Sequence, residues 1–195
     1  GVQNRAGTMA KPFSLSVGFM LPHQPFVARR EDFERFADRV PPPQTAAPFS
    51  DDLHPHFKNW REKCGIVDVP DEEIQRARIA YWALVYRMDV MIGQILDTLR
   101  ENGFEEDTLV IYSSDHGEQV GEHDLWWKQT FYDDSAKVPA ILAWPGRISE
   151  GSRIDNVISS LDINATMVDA LGGPALPTSR GRTLLPLFEN TNADW

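Results

Sequence analysis

A continuous apolar run from Leu109 to Tyr112, which contains β-branched residues, leads through Ser113 into the segment Ser114-Asp115-His116-Gly117. An apolar run without polar alternation is typical of a strand that is buried on both faces, as in a parallel sheet. The segment from Val138 to Trp144 has the same character and predicts a second such strand, with Pro139 at its beginning. Large apolar and small residues alternate from Phe13 to Phe19, and this alternation predicts another strand.

The strongest helical signal starts after Pro70. Asp71 can cap this helix, and the acidic residues that follow suit the positive end of the helix dipole. Apolar residues then recur at helical spacing as far as Leu99, and Gly103 suits the residue just past a helix end. The sequence therefore predicts one long helix between Pro70 and Gly103.

Two more helices are predicted. One runs from about Ile163 to Leu171, capped by Asp162 and stopped by Gly172-Gly173-Pro174, and a short one lies near Arg30 to Asp38. Residues 28–70 otherwise form an irregular excursion, of a length that usually shapes a binding site or is mobile. Strands and helices in this order predict an α/β fold, with a sheet sandwiched by helices.

The composition limits the classes of partner. The 195 residues, 42% of them hydrophobic, are enough for one domain with a sizeable core. The formal net charge of −10 disfavours nucleic acid and anionic membranes as partners, and no apolar stretch is long enough to span a bilayer. The single cysteine, Cys64, excludes an internal disulfide and leaves the compartment open.

Asp115 and His116 follow the first buried strand, at the carboxyl end where open α/β sheets place their ligands. A carboxylate oxygen and an imidazole nitrogen are competent metal ligands, and a turn that Gly117 permits lets both converge on one ion. The alternative is a capped turn without a metal, because Asp is common in such turns.

Lys128 lies among aromatic residues that would partly desolvate it. A lysine ammonium is a compact charge that can hold a tetrahedral oxyanion, and a solvated surface lysine is the alternative. His23 lies in Leu21-Pro22-His23-Gln24-Pro25-Phe26, where two prolines stiffen the loop and a simple turn histidine is the alternative. His123 is interpreted as a structural, hydrogen-bonding histidine.

In this order, the segments resemble the central block of the sulfatase family, within the alkaline-phosphatase-like superfamily. The resemblance spans Lys11 to about Phe188, leaves Arg29 to Val69 unplaced, and is closest to choline-sulfatase-like and iduronate-sulfatase-like members. The segments that carry it are the Pro-His-x-Pro loop around His23, Ser114-Asp115-His116-Gly117, Gly121-Glu122-His123, Lys128, Val138-Pro139, Trp144-Pro145-Gly146, Ser160-Leu161-Asp162-Ile163 and Gly181-Arg182-Thr183-Leu184-Leu185-Pro186.

The resemblance implies a role for each candidate residue. Asp115 would be a carboxylate ligand of a divalent cation, usually calcium in this family, and His116 would be the adjacent ligand. Because nitrogen is a poor partner for a hard cation such as calcium, His116 leaves magnesium or manganese open. Lys128 would bind the sulfate oxygens, and His23 would contact the leaving-group oxygen as its proton donor. The implied substrate is a sulfate ester, either a small molecule or a sugar sulfate.

The family's nucleophile is a formylglycine made from Cys or Ser in a Cys/Ser-x-Pro-Ser-Arg segment, and this sequence contains no such segment. Cys64 is rejected because no Pro-Ser-Arg follows it, and Asp51-Asp52 is rejected as the family's aspartate pair because it lies in a loop. We therefore expect both features upstream, in the remainder of a larger sulfatase catalytic domain. Residues 1–195 alone are predicted not to hydrolyse sulfate esters.

Three alternatives remain at this point. A phosphonate monoester or phosphodiester hydrolase of the same superfamily shares the Asp-His-Gly and lysine features. A non-catalytic pseudoenzyme or binding fragment would use the fold as a scaffold. The third is an α/β domain whose motif matches arise by chance.

Overall fold

A computed structural model describes residues 13–44, 52–189 and 195 of the chain. The chain divides into two compact units, Gly1–Thr98 with His116–Val138, and Leu99–Asp115 with Pro139–Trp195. No helix within the described ranges is both long and apolar enough to cross a membrane. The elements, in chain order, are α1 (Arg30–Phe36), α2 (Pro55–Cys64), α3 (Asp71–Glu101), β1 (Val110–Ser113), α4 (Asp133–Ala136), β2 (Ala140–Ala143), α5 (Ser160–Ala170) and α6 (Leu185–Glu189).

The long helix α3 confirms the strongest helical prediction. Its first turn carries Asp71 and two glutamates, which favour the positive end of the helix dipole. One face buries Ile74, Arg78 and Leu84, among others, at helical spacing. Gly103 follows the helix with φ +73°, and its N–H donates to the Arg100 carbonyl at 2.9 Å. The position just past the helix end requires a left-handed backbone conformation, which glycine adopts without steric cost.

The excursion over residues 28–70 contains two helices. The short helix α1 confirms one prediction, whereas α2 was not predicted. Pro55 occupies the first turn of α2, the His54 side chain accepts a hydrogen bond from the His56 N–H at 3.1 Å, and Gly65 ends the helix with φ +65°. Helix α2 therefore has recognisable end signals, but the density of Pro, Asp and His around it hid them. Asp51 lies outside the described residues.

The core of the first unit lies where α3 meets the segment from Glu118 to Thr130. Ile66, Ile74, Val120 and Trp126 are buried together in it. Phe26, Cys64, Val69, Ala77, Tyr81 and Trp127 pack around them. The loop that carries Lys128 is thus anchored by its own neighbours in the core.

A buried ion pair holds the same loop against α3. The Arg78 Nη1 atom lies 3.0 Å from the Glu122 carboxylate, and the two side chains are only 8% and 11% exposed. Arg78 also donates to the carbonyl oxygens of Val120 at 2.7 Å and Pro41 at 3.0 Å, and Glu122 accepts from the Gln44 N–H at 2.8 Å. Full pairing makes two buried charges tolerable here.

The two strands are where predicted, but their pairing differs from the prediction. β1 and β2 pair antiparallel, with Val110 opposite Ala143 and Ser113 opposite Ala140. β1 is half-buried and β2 is mostly exposed, so the predicted burial on both faces was wrong. An apolar run indicates that its side chains favour a buried position, but it does not indicate whether the strand pairs parallel or antiparallel.

The predicted strand from Phe13 to Phe19 does not form in the described structure. Residues 13–20 form neither helix nor strand, and Leu15 and Val17 are 72% and 47% exposed. Alternating side chains permit a strand, but a strand also requires a neighbour that completes its hydrogen bonds.

Helix α5 was predicted, but its cap was assigned to the wrong residue. Ser159 caps the helix by accepting from the Leu161 N–H at 3.0 Å, and its own N–H donates to Asp162 at 2.7 Å, which makes a capping box. Asp162 also accepts from the Arg182 N–H at 2.8 Å. The buried Asp162 therefore ties α5 to the Gly-Arg segment of the second unit.

Replacing Arg78 should destabilise the first unit strongly. Arg78→Met leaves the Glu122 carboxylate buried without its ion-pair partner, and we expect a loss of about 3–5 kcal/mol in the free energy of unfolding. Arg76→Met is the matched control, since Arg76 is 62% exposed in its pair with Glu73 and should cost at most about 1 kcal/mol. Urea denaturation measures both, and equal losses would contradict the structural role of the buried pair.

Candidate functional site

Three side chains of the first unit converge, although they are far apart in sequence. The Lys128 Nζ atom lies 2.9 Å from Nε2 of His116 and 3.3 Å from Nε2 of His23. The two imidazole rings meet edge to face, with centroids 6.2 Å apart. All three residues are half-buried. Two imidazoles and one ammonium therefore form a compact cluster of nitrogen atoms.

The second nitrogen of each ring fixes its tautomer. Nδ1 of His23 lies 2.9 Å from the Gln24 carbonyl oxygen, and Nδ1 of His116 lies 2.8 Å from the Gly117 carbonyl oxygen. A carbonyl oxygen only accepts, so Nδ1 donates in both rings. In a neutral ring, Nε2 then carries the lone pair. Both lone pairs point towards Lys128, whose ammonium has three N–H donors.

The His23 loop is held by a backbone hydrogen bond and by the packing of Phe26. The His23 N–H donates to the Met20 carbonyl at 2.9 Å, and the peptide bonds before Pro22 and Pro25 are both cis. Phe26 packs edge to face on Tyr81 of α3, with ring centroids 5.7 Å apart. The proline-stiffened loop thus presents His23 from an anchored segment.

The backbone around Lys128 has an unusual conformation. Trp127 and Gln129, its two neighbours, have φ values of +64° and +74° without being glycines. The Glu118 carboxylate accepts from the Trp127 N–H and, at 3.3 Å, from the Val120 N–H. The Gln119 N–H donates to the Trp127 carbonyl at 2.9 Å. The segment just after the Ser-Asp-His-Gly motif therefore holds the lysine loop.

Glu118 is the half-buried carboxyl nearest to this cluster in sequence. Burial raises the pKa of the Glu118 carboxyl, and the N–H donors of Val120 and Trp127 offset part of that rise. Sequence reasoning missed Glu118. Its position in the motif gave no signal, because its partners Val120 and Trp127 are recognised only once the loop is folded.

Gly117 is required for a different reason from the predicted one. Its φ is not positive, but a Cβ atom at this position would overlap the carbonyl oxygen of Asp134. Its N–H also donates to the Ser135 carbonyl at 2.7 Å. The glycine therefore permits a close approach of two backbone segments, and it does not supply a left-handed turn.

Asp115 lies two residues after the end of β1 and is exposed. The Ser114 hydroxyl donates to Asp115 Oδ1 at 3.4 Å. In the part of the chain that the structure describes, no three His, Cys, Asp or Glu side chains come together as a metal site. The Nδ1 atom of His116 donates to a carbonyl oxygen, as in many metal-binding histidines, but the lone pair of its Nε2 accepts from Lys128 at 2.9 Å, so metal binding by His116 would require this hydrogen bond to break. The assignment of Asp115 and His116 as ligands stays a prediction.

His123 packs against neighbouring side chains, whereas the hydrogen bond expected of it stays a prediction. Its ring stacks on Tyr132 with centroids 3.9 Å apart, and Nε2 lies 3.8 Å from an Asp134 carboxylate oxygen. These contacts join the Gly-Glu-His segment to α4 and use the face and edge of the imidazole.

The tautomers of His23 and His116 can be observed directly. We expect long-range ¹H–¹⁵N correlation spectra of the chain to show both rings as Nδ1–H tautomers, with Nε2 as the unprotonated nitrogen. Lys128→Met should shift both Nε2 signals, because it removes their common donor. Nε2–H tautomers in either ring would contradict the described hydrogen bonds.

Gly117 and Gly93 make a matched pair of glycine-to-alanine substitutions. Gly117→Ala should unfold or strongly destabilise the first unit, since its Cβ overlaps backbone atoms. Gly93 lies within α3, where nothing stands within 4 Å of an added Cβ. We expect Gly93→Ala to stabilise the chain by about 0.5–1 kcal/mol. Thermal denaturation compares the two, and a mild effect of Gly117→Ala would disprove the close approach.

Comparisons with known proteins identify the family to which the chain belongs. A sequence model of the family described as Sulfatase matches residues 2–173. Choline-sulfatase of Rhizobium meliloti (strain 1021) is 36% identical over 185 residues, covering 91% of this chain and 35% of that protein. The phosphonate monoester hydrolase SpPMH from Silicibacter pomeroyi has a similar fold, with a TM-score of 0.79 and 30% identity over 89% of this chain and 37% of that chain.

A second solved structure, a protein in complex with its substrate D-glucosamine-2-N,6-O-disulfate, has a TM-score of 0.62 and 28% identity over 69% of this chain and 28% of that chain. The chain thus spans about a third of the length of the relatives it matches. The fold is the α/β fold of these relatives, as predicted. Because the family match covers most of the sequence, the chain belongs to the sulfatase family of hydrolases.

Proposed function

We propose that this chain is the part of a sulfatase that binds the sulfate group of a sulfate monoester and assists departure of the alcohol. The observation that carries the proposal is the position of Lys128 between the Nε2 atoms of His116 and His23, at 2.9 Å and 3.3 Å. An ammonium at this position can donate to the oxygens of a bound sulfate group and offset their charge. Lys128 is therefore the proposed sulfate-binding residue.

His23 is the proposed proton donor to the leaving oxygen. Its Nδ1 donates to the Gln24 carbonyl, so Nε2, which accepts from Lys128 in the structure, would first take up a proton and then pass it to the leaving oxygen. The ammonium of Lys128 lies beside this atom and favours departure of an anion. The 3.3 Å distance between His23 Nε2 and Lys128 Nζ supports this pairing of roles.

Asp115 and His116 are the proposed ligands of a divalent cation, with calcium first and magnesium or manganese as alternatives. The cation would supply further charge stabilisation to the sulfate oxygens. The proposed nucleophile is a formylglycine that belongs to a segment outside these 195 residues. Choline sulfate and sulfated sugars are the substrate classes to test first. One protein similar to this chain is a choline-sulfatase, and another was solved in complex with a disulfated glucosamine as its substrate.

Hydrolysis of phosphonate monoesters is the second candidate. The similarity to SpPMH at a TM-score of 0.79 favours it. The same lysine and histidine would then act on a phosphonate group, whose tetrahedral oxygens present similar acceptors. Only the relative rates on the two ester classes separate these candidates.

The proposal predicts a large, specific effect of Lys128. In the complete enzyme that contains this chain, Lys128→Ala should lower kcat/KM for a sulfate monoester by about 10²–10³, the usual cost of removing one charge-stabilising group. Lys63→Ala, which alters an exposed lysine of α2, should leave kcat/KM unchanged.

Chelation should abolish activity, and added calcium, magnesium or manganese should restore it. The 195-residue chain alone should release no sulfate.

Two results would contradict the proposal. One is faster hydrolysis of phosphonate monoesters than of every sulfate ester tested, which would favour the second candidate. The other is an unchanged kcat/KM in the Lys128 variant, which would remove the observation on which the proposal is based.

A further inference from the structure

The conformation next to Lys128 has to be imposed by its surroundings. Trp127 and Gln129 both adopt positive φ values, which L-residues with a Cβ atom avoid. Such residues persist where neighbouring structure determines the backbone, and they occur often at functional sites. The direction of the Lys128 side chain depends on this backbone, so whatever holds residues 127 and 129 also aims the ammonium.

The upstream side of Lys128 is held from within the same loop. Glu118 accepts the Trp127 N–H, and Gln119 donates its backbone N–H to the Trp127 carbonyl at 2.9 Å. The Gln119 side chain also donates to the Thr130 hydroxyl at 2.6 Å, which anchors the loop beyond Gln129.

The peptide just downstream of Lys128 is held by a residue from a different part of the chain. Nε2 of His56, in the first turn of α2, lies 2.9 Å from the Gln129 carbonyl oxygen. The carbonyl only accepts, so this nitrogen carries the proton. His56 is exposed, and its ring therefore adds little to the core. The contact links α2 to the residue directly after Lys128.

Helix α2 is well fixed to the loop by other contacts. Arg61 forms an ion pair with Asp124 at 2.8 Å, and the Arg61 side chain is only 9% exposed. The rings of Trp60 and Trp127 pack edge to face with centroids 6.1 Å apart. Phe57 packs against Tyr132, with centroids 5.8 Å apart. These contacts make α2 a stable platform from which His56 can direct the backbone.

We infer that His56 is a positioning residue for Lys128: by donating to the Gln129 carbonyl, it sets the loop conformation that aims the ammonium at His23 and His116. The role in catalysis rests on the proposed function, whereas the geometric role does not. Helix α2 lies in the excursion over residues 28–70, to which neither the motifs nor the proposed chemistry assigns a part.

The test uses two substitutions at His56, one that removes the hydrogen-bond donor and one that keeps a donor. His56→Phe keeps an aromatic ring beside Phe57 and removes the donor. His56→Gln places an amide N–H near the position of Nε2 and should restore the hydrogen bond. Asn59→Ala, which alters an exposed residue of the same helix, is the control. Thermal unfolding checks that all three variants fold.

The first readout is the NMR signal of the Lys128 ammonium and of Nε2 in His23 and His116, measured on the 195-residue chain. In His56→Phe we expect these three signals to shift together and the ammonium protons to exchange faster. In His56→Gln and Asn59→Ala we expect the wild-type pattern. Unchanged signals in a folded His56→Phe variant would overturn the inference, as would shifts of equal size in the Asn59→Ala control.

The second readout is kcat/KM for a sulfate monoester in the complete enzyme. We expect a loss of about threefold to tenfold in His56→Phe, the net contribution of one hydrogen bond, with recovery in His56→Gln. If the NMR signals respond but the wild-type enzyme hydrolyses no sulfate ester, the positioning role stands and the proposed function fails. If the wild-type enzyme is active and His56→Phe matches it in kcat/KM, the inference fails.

Discussion

The candidate site is organised around the Lys128 ammonium. It donates hydrogen bonds to the Nε2 lone pairs of two imidazole rings, those of His23 and His116. An ammonium can only donate hydrogen bonds. In each ring Nδ1 donates to a backbone carbonyl oxygen, so Nε2 is the nitrogen that accepts from the ammonium. The arrangement leaves a positive charge beside two nitrogens that can exchange protons. An ammonium beside imidazoles can bind a tetrahedral anion and can assist an oxygen that leaves it.

This cluster depends on a loop that would not keep its shape alone. Positive φ values on both sides of Lys128 are unfavourable for residues with a Cβ atom. Two buried or partly buried ion pairs, Arg78 with Glu122 and Arg61 with Asp124, attach the loop to α3 and α2. The helices therefore hold a strained backbone, while the loop carries Lys128 of the proposed site.

Sequence reasoning was most effective where the signal was local. The helical spacing in α3, the apolar runs of β1 and β2 and the proline pair around His23 all lie within short segments. The antiparallel pairing of β1 with β2 was mispredicted, since an apolar run does not encode strand direction. Residues 13–19 were mispredicted as a strand because alternation cannot supply a pairing partner.

The supporting residues of the site could not be predicted, because their partners are distant in the chain. The contact of His56 with Gln129 spans 73 positions, and that of Arg78 with Val120 spans 42. Glu118 is recognised as a supporting residue only through its hydrogen bond with the Trp127 N–H, nine positions further along the chain. The motifs indicated which residues could carry chemistry, whereas the structure identifies the residues that hold them in place.

A crystal structure of the chain grown with tungstate, a heavy tetrahedral oxyanion, tests the central claim most directly. The account predicts an anomalous peak within hydrogen-bonding distance of Lys128 Nζ, with the imidazoles of His23 and His116 facing the same anion. A Lys128 side chain directed into solvent, with the two imidazoles apart and no anion between them, would contradict it.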